Sequence, residues 1–165
     1  MSFLVLIAVF GGFVSIGAIV YWYGLQRKRF FADLVAFCGH LSIEISFSKL
    51  EVAQVIGRYS NTYSGPFRRG LEGFRAMLDA RGDITHEAIM GVMWARLKPE
   101  EQSQVAEFLF NLGRHGSGEE IEKLATAKGH FEGALDVANA RLRKEAVLYL
   151  KLFVIMGIAS VIMLA

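Results

Sequence analysis

The side chains best suited to metal binding and acid–base chemistry are the histidines, and the sequence scatters them. The four histidines are His40, His86, His115 and His130. Each falls in a different predicted helix or loop, and none has a second ligand at the spacing that a zinc site requires. His86 and Glu87 resemble the start of the H-E-x-x-H zinc motif, but position 90 is Met. An acidic residue in the first turn of a helix explains the pair better, so we predict no metal site.

Other residues that could bind a ligand or take part in catalysis also have simpler structural explanations. The Gly-rich residues 113–118 (GRHGSG) resemble a phosphate-binding loop, but they lack the G-K-[ST] ending and follow a predicted helix. The acidic pairs at 100–101 and 119–120 lie at predicted helix N-termini, where the helix dipole stabilises them. Cys38, the only cysteine, lies on an apolar stripe and excludes an internal disulfide. We therefore predict no catalytic, cofactor-binding or metal-binding residue. A membrane enzyme with a site built from scattered polar residues is the remote alternative.

Charged residues are distributed unevenly along the chain. All 18 Lys and Arg and all 16 Asp and Glu side chains lie between Arg27 and Lys151. Residues 3–23 form an uncharged apolar stretch, and a helix needs about 20 such residues to cross a hydrocarbon core. A cleavable signal peptide is the competing interpretation, but the sequence lacks its basic start and small-residue cleavage pattern. We therefore predict an N-terminal transmembrane helix at residues 1–25.

A second uncharged stretch follows Lys151. Residues 152–165 alone would rise roughly 21 Å as a helix, which is too short for a span. A span at residues 147–165 is long enough if Lys151 extends its ammonium to the interface. A C-terminal helix buried in a soluble core is the alternative, but this tail has no polar face. We predict a C-terminal transmembrane helix there and a helical bundle at residues 26–146.

The residues that flank these two stretches predict the orientation of the chain. Aromatic side chains end the first stretch, as in the aromatic belts of membrane proteins, and cations follow it and precede the second. The interface residues are Tyr21, Trp22, Tyr23, Arg27, Lys28, Arg29, Arg141, Arg143, Lys144 and Lys151. The positive-inside rule then places the middle of the chain in the cytoplasm and both termini outside. A net charge of +2 spread over that middle is too small for a nucleic-acid-binding surface.

The middle of the chain is patterned as successive helices. Residues 48–51 (SKLE) and 117–120 (SGEE) fit capping boxes, Thr85 fits a helix N-cap, and Pro99 fits a first turn. Residues 65–66 (GP) and 82–83 (GD) interrupt the chain. No Pro follows Pro99, so the last helix can continue to the C-terminus. We predict an all-α fold whose first and last helices are long antiparallel neighbours.

Several segments together resemble the stage III sporulation protein AB family. They are residues 41–45 (LSIEI), 48–50 (SKL), 108–113 (FLFNLG) and 149–159 (YLKLFVIMGIA). The likeness covers nearly the whole chain. Residues 114–122 (RHGSGEEIE) depart from the polar D-x-x-x-Q pattern of the family.

The resemblance implies a role in endospore formation. Family members belong to an assembly in the mother-cell membrane that surrounds the forespore, and their cytoplasmic domain is similar to that of type II secretion and type IV pilus platform proteins. The implied partners are the lipid bilayer, a cytoplasmic ATPase (stage III sporulation protein AA) and other membrane subunits, with no cofactor. The alternative is a structural coiled-coil protein that only oligomerises, through the seam at residues 124–142 or through a small-residue face. That face consists of Ala8, Gly11, Gly12 and Ser15.

Overall fold

The structure, a computed structural model, describes residues 3–47, 51–80, 84–93, 96–112 and 117–164. Every regular element in these ranges is a helix, which confirms the all-α prediction. The α-helices are α1 (Phe3–Phe47), α2 (Val52–Tyr59), α3 (Gly65–Asp79), α4 (His86–Val92), α5 (Pro99–Asn111), α6 (Ser117–Arg141) and α7 (Val147–Leu164). A short 3₁₀-helix (Ser60–Thr62) follows α2, and a π-helix (Leu142–Ala146) joins α6 to α7. The chain divides into two compact units, Met1–Lys28 with Leu135–Ala165 (unit 1) and Arg29–Ala134 (unit 2).

Unit 1 is built from two apolar helices, the first part of α1 and α7. A Cβ placed on Gly17 would lie 3.2 Å from Leu150 Cδ1 and 3.2 Å from Phe153 Cβ. A Cβ on Gly157 would lie 2.9 Å from Phe10 Cδ2. The residue order at these two contacts makes the helices antiparallel, as predicted, and glycine lets their backbones approach closely.

Large apolar side chains cover the outside of unit 1. Those exposed on α1 include Ile7, Ile16, Ile19 and Trp22, and those on α7 include Leu152, Ile155, Ile158 and Ile162. Within the described residues, the stretch Phe10–Phe47 is the one long and apolar enough to cross a membrane. Core helices of soluble proteins and N-terminal signal sequences can have the same length and composition, so both spans and the orientation stay predictions.

Unit 2 contains an aromatic core. The largest fully buried side chains that α1 contributes are Phe30, Phe31, Leu34, Phe37 and Leu41. Phe67 of α3 packs edge-on against Phe30, with ring centroids 5.3 Å apart. Because 3-4 spacing keeps apolar residues on one side of a helix, this half of α1 turns one stripe to the core.

Glycines of α3 allow α4 to approach closely. A Cβ on Gly70 would lie 3.0 Å from Met93 Cε, and one on Gly73 would lie 3.0 Å from Val92 Cβ. The preceding Gly65 has a φ of 61°, a left-handed conformation that glycine adopts without the steric penalty of a Cβ. Helix α3 therefore starts at a turn that favours glycine and then presents a smooth face to α4.

Several predicted helix boundaries are present in the structure. The Thr85 hydroxyl accepts a hydrogen bond from Ala88 N at 3.2 Å, and Pro99 opens α5. Glu101 Oε2 accepts from Lys98 N at 3.3 Å and so satisfies a free N–H at that terminus. We expected a capping box at residues 48–51 to start a helix. In the structure α2 begins at Val52, after Glu51, and residues 48–50 lie outside the described residues. Helix α6 begins at Ser117 as expected, whereas the Ser117 side chain lies outside the described part.

Candidate functional site

A groove between α5 and α6, the α5–α6 groove, lies in unit 2 and has a volume of about 300 Å³. Its floor consists of Phe108, Leu112, Leu124, Ala127 and Phe131. Phe108 lies on α5 and Leu112 directly follows the end of that helix, while spacings of three and four along α6 place the other three side chains on one stripe. The floor is therefore apolar and continuous.

Packing within the floor is tight at its centre and open at its edge. Leu124 and Phe131 are buried, whereas Phe108 and Leu112 are half-exposed. The rings of Phe108 and Phe131 meet edge to face, with centroids 5.4 Å apart and planes at 80°. Such a contact fixes both rings, because the positive edge of one aromatic ring meets the negative face of the other. The groove thus presents a preformed apolar surface to solvent.

The rim of the α5–α6 groove is mainly acidic. Glu107 is exposed at its edge, and the exposed carboxylates of Glu119 and Glu122 lie nearby on α6, whereas Glu120, which also lines the groove, is only 5% exposed. The ammonium of Lys123, which also lines the groove, is 2.9 Å from Glu119 Oε1 and is partly neutralised by it. An apolar floor with an acidic rim fits an amphipathic helix that carries cations beside its apolar face.

A second polar group, the α1–α2 cluster, consists of His40, Glu44, Arg58, Tyr59 and Tyr63. Glu44 is only 4% exposed, and its Oε1 accepts hydrogen bonds from Arg58 Nη1 at 2.7 Å and from the Tyr59 hydroxyl at 2.8 Å. The His40 ring stacks on Tyr59 with centroids 4.2 Å apart, and His40 Nδ1 shares a hydrogen bond of 2.7 Å with the Tyr63 hydroxyl. These contacts attach α2 and the 3₁₀ turn to α1.

The titratable groups around the α1–α2 cluster favour their protonated forms. The hydrogen bond to Glu44 raises the pKa of the Tyr59 hydroxyl, and it also raises the pKa of Arg58. Burial raises the pKa of the Tyr63 hydroxyl and raises the pKa of the Cys38 thiol to about 12. A thiol with that pKa is not a nucleophile near neutral pH, since the thiolate is the reactive form. We interpret the cluster as structural.

The histidines do not form a site in the described residues. His86 Nε2 lies 3.2 Å from the Ser103 carbonyl oxygen, His130 lines the α5–α6 groove, and His40 belongs to the α1–α2 cluster. His115 lies outside the described residues. The same part of the chain contains no group of three or more His, Cys, Asp or Glu residues that could hold a metal ion.

Most of the predicted interface residues are at the surface. The aromatic residues Tyr21 and Trp22 are exposed, and Trp22 contacts Tyr23, which is half-buried, with ring centroids 5.4 Å apart. The exposed cations are Arg29, Arg141, Arg143, Lys144 and Lys151, and the half-buried ones are Arg27 and Lys28. Within unit 1, Arg27 and Arg141 line one cavity. Their level relative to a bilayer remains a prediction.

Sequence reasoning missed the α5–α6 groove. The apolar stripes that form its floor are visible in the sequence, but we considered residues 124–142 only as a seam for oligomerisation. Periodicity identifies the face of a helix that avoids water and does not show whether the neighbouring helix covers it completely. The acidic residues at the start of α6 were a further signal, although we attributed them to the helix dipole alone.

Comparisons with known proteins agree with this fold. Residues 2–165 match the family model for stage III sporulation protein AB. A solved structure of a stage III sporulation protein AB (SpoIIIAB) matches with a TM-score of 0.59 and 19% identity, covering 71% of this chain and 96% of that one. At that identity the structural match supports the fold alone. The search of curated proteins gave no significant match. Because the family model covers nearly all of the sequence, the chain belongs to the stage III sporulation protein AB family.

Proposed function

We propose that this protein is a membrane-anchored platform subunit of a sporulation complex, and that it docks a cytoplasmic ATPase through the α5–α6 groove. The observation that carries the proposal is the groove itself, which has a volume of about 300 Å³, an apolar floor and an acidic rim. A helix with apolar and basic side chains on one face complements it. By the family resemblance, the ATPase is stage III sporulation protein AA.

The anchoring part of the proposal rests on unit 1. Its two helices pack closely at Gly17 and Gly157, yet their outer faces remain apolar. Exposed apolar patches of this extent are rare on soluble monomers and are usual on surfaces that contact lipid. Both stretches would cross the mother-cell membrane around the forespore, with unit 2 in the cytoplasm. The protein would act by binding and positioning its partner, without an enzymatic step of its own.

A second candidate function, oligomerisation alone, is favoured by one observation. Gly11 and Gly12 of the small-residue face are exposed, and a Cβ on either would meet nothing within 4 Å. This face is therefore open to a second copy of α1. The other proposed interface is the seam at residues 124–142, whose apolar residues are mainly buried within the chain itself. Its buried members are Leu124, Phe131, Ala138 and Leu142.

A pair of alanine substitutions on α6 tests the docking proposal. Ala127 is half-buried in the groove, whereas Ala125 is exposed and lies outside the groove lining. We expect Ala127→Arg to fill the groove, add a cation where the partner is cationic, and weaken ATPase binding at least about tenfold, since anchor positions contribute 2 kcal/mol or more. The control Ala125→Arg adds the same charge elsewhere. Binding is measured by biolayer interferometry on full-length protein in detergent, at physiological salt.

The outcomes separate the two functions. Loss of binding with Ala127→Arg and retention with Ala125→Arg would support docking in the groove. Equal binding by both variants would place the contact elsewhere on unit 2. An ATPase that does not bind the unmodified protein, together with a stable oligomer that Gly12→Leu dissociates, would replace docking with the oligomerisation function.

A further inference from the structure

Unit 1 contains a cavity that the docking function does not use. It lies between α1 and the segment that joins α6 to α7, with a volume of about 190 Å³. Its apolar lining residues include Val20, Ala138 and Leu142. Its charged lining residues are Arg27, Arg141 and Glu145. The cavity is therefore amphipathic, and its charged groups come from two helices far apart in the sequence.

The backbone is irregular at this cavity. The π-helix Leu142–Ala146 replaces regular α-helix there, and two of its residues, Leu142 and Glu145, line the cavity. A π-helical turn contains an extra residue and disturbs the hydrogen-bond ladder, so it persists where another interaction compensates, and it is frequent at functional sites. It also changes which side chains of the helix turn towards α1.

The position of the cavity along the chain is also specific. Val20 and Gly24 belong to the uncharged stretch of α1, and Arg27 is the first charged residue of the chain. Tyr149 lines the same cavity from α7, close to the start of the second uncharged stretch. Apolar residues next to cations and a tyrosine, at the end of an uncharged stretch of helix, correspond to the headgroup level of a bilayer.

We propose that this cavity binds the phosphate group of an anionic membrane phospholipid. Arg27 and Arg141 donate charge-assisted hydrogen bonds to the phosphate oxygens, since the planar guanidinium matches phosphate geometry. Val20 and Leu142 contact the first carbons of an acyl chain. Glu145 places a carboxylate beside the two guanidinium groups and so opposes the binding of an anion. Basic pockets between membrane helices on the cytoplasmic side are suited to such headgroups.

Lipid retention by the purified full-length protein tests this site. The protein in neutral detergent is mixed with short-chain phosphatidylglycerol or phosphatidylcholine, and bound lipid is counted by native mass spectrometry. We expect one phosphatidylglycerol per chain in preference to phosphatidylcholine. Arg27→Gln and Arg141→Gln should each lower that retention about fivefold, the contribution of one cation near an anionic lipid surface. Glu145→Gln should raise it, because the substitution removes the opposing charge.

Arg143→Gln is the matched control. Arg143 belongs to the same π-helix and is exposed, but it does not line the cavity. If Arg143→Gln lowers retention as much as Arg141→Gln does, general surface charge binds the lipid and the site is refuted. No preference for phosphatidylglycerol in the unmodified protein would refute it as well. Glycerol phosphate at the same concentration distinguishes the source of the phosphate: equal binding would mean that the cavity accepts a free phosphate ester.

The inference rests on the membrane anchoring in the proposed function, and the two can fail separately. Alkaline carbonate extraction of cell membranes measures anchoring alone. Protein that is extracted would contradict anchoring, whatever lipid the cavity retains in detergent. Protein that stays in the membrane but shows no lipid preference would contradict the lipid site alone. Circular dichroism of each variant establishes that the helices are intact.

Discussion

At the scale of single residues, Glu44 shows how a charged side chain serves the fold. It lies inside the LSIEI segment that resembles the family, and its carboxylate is buried at the α1–α2 contact. Arg58 and Tyr59 both donate to it, which compensates the cost of removing a carboxylate from water. Loss of one partner would leave a buried charge with fewer hydrogen bonds. The residue therefore attaches α2 to α1.

Cys38 gives a residue-scale prediction. Its thiol is 1% exposed and its pKa is raised to about 12 by burial. The group therefore stays protonated and inaccessible at pH 8, and we expect it to react with a thiol reagent only when the protein unfolds. The measurement is the modification rate with Ellman's reagent in native buffer and in denaturant.

Ser46→Cys in a Cys38→Ala background is the matched comparison. Ser46 lies on the same helix and is exposed. We expect its cysteine to react within the mixing time, because an exposed thiol is limited only by its thiolate fraction. Native Cys38 that reacts as fast as the cysteine at position 46 would contradict the packing of α1 in unit 2.

At the scale of elements, the glycines of α1 have two different roles. Gly17 lies against α7. A Cβ placed on it would lie 3.3 Å from the Leu150 Cα and would also be close to side chains of α7. Backbone atoms cannot move aside as a flexible side chain can. Gly12 lies on the open face of the same helix. The two positions therefore differ in environment, although their sequence surroundings are equally apolar.

Leucine substitutions at these two glycines give an element-scale prediction. We expect Gly17→Leu to separate α1 from α7 and to destabilise the protein by about 1–3 kcal/mol, the usual cost of overpacking. Gly12→Leu should leave stability unchanged or raise it slightly, since leucine favours helix more than glycine does. Thermal unfolding of full-length protein in detergent, followed by circular dichroism, measures both. An equal fall in Tm for the two variants would contradict the helix pairing in unit 1.

At the scale of the whole molecule, the distribution of charge predicts the orientation. The cations at Arg27, Lys28, Arg29, Arg141, Arg143, Lys144 and Lys151 all lie between the two uncharged stretches. Since translocating such clusters is unfavourable, the segment between them should stay in the cytoplasm.

Cysteine accessibility checks this topology in intact cells with Cys38→Ala protein. We expect a membrane-impermeant maleimide to label Ser2→Cys directly and Asp79→Cys only after permeabilisation. Asp79 is exposed at the end of α3, so permeabilised cells provide its positive control. Direct labelling at position 79 with protection at position 2 would reverse the orientation, and labelling of neither in permeabilised cells would show that the protein is absent or aggregated.

The helical class, the two uncharged stretches and several helix boundaries could be predicted from the sequence. These properties depend on local patterns, such as the 3-4 spacing of apolar residues, Thr85 before α4 and Pro99 at the start of α5. The family resemblance likewise came from short segments in order along the chain, and the match over residues 2–165 confirmed it. Local signals were weaker at α2, where the helix begins after Glu51 and not at residue 48.

Only the tertiary structure decided which surfaces are open. Phe108 and Phe131 form one floor, and Arg27 and Arg141 line one cavity, although each pair is separated by a long stretch of chain. The sequence pattern was the same for the covered stripe of α1 and for the partly open stripe of α5. Whether an apolar stripe becomes core or groove depends on how closely a neighbouring helix packs, and that distance is set by side chains from both helices together.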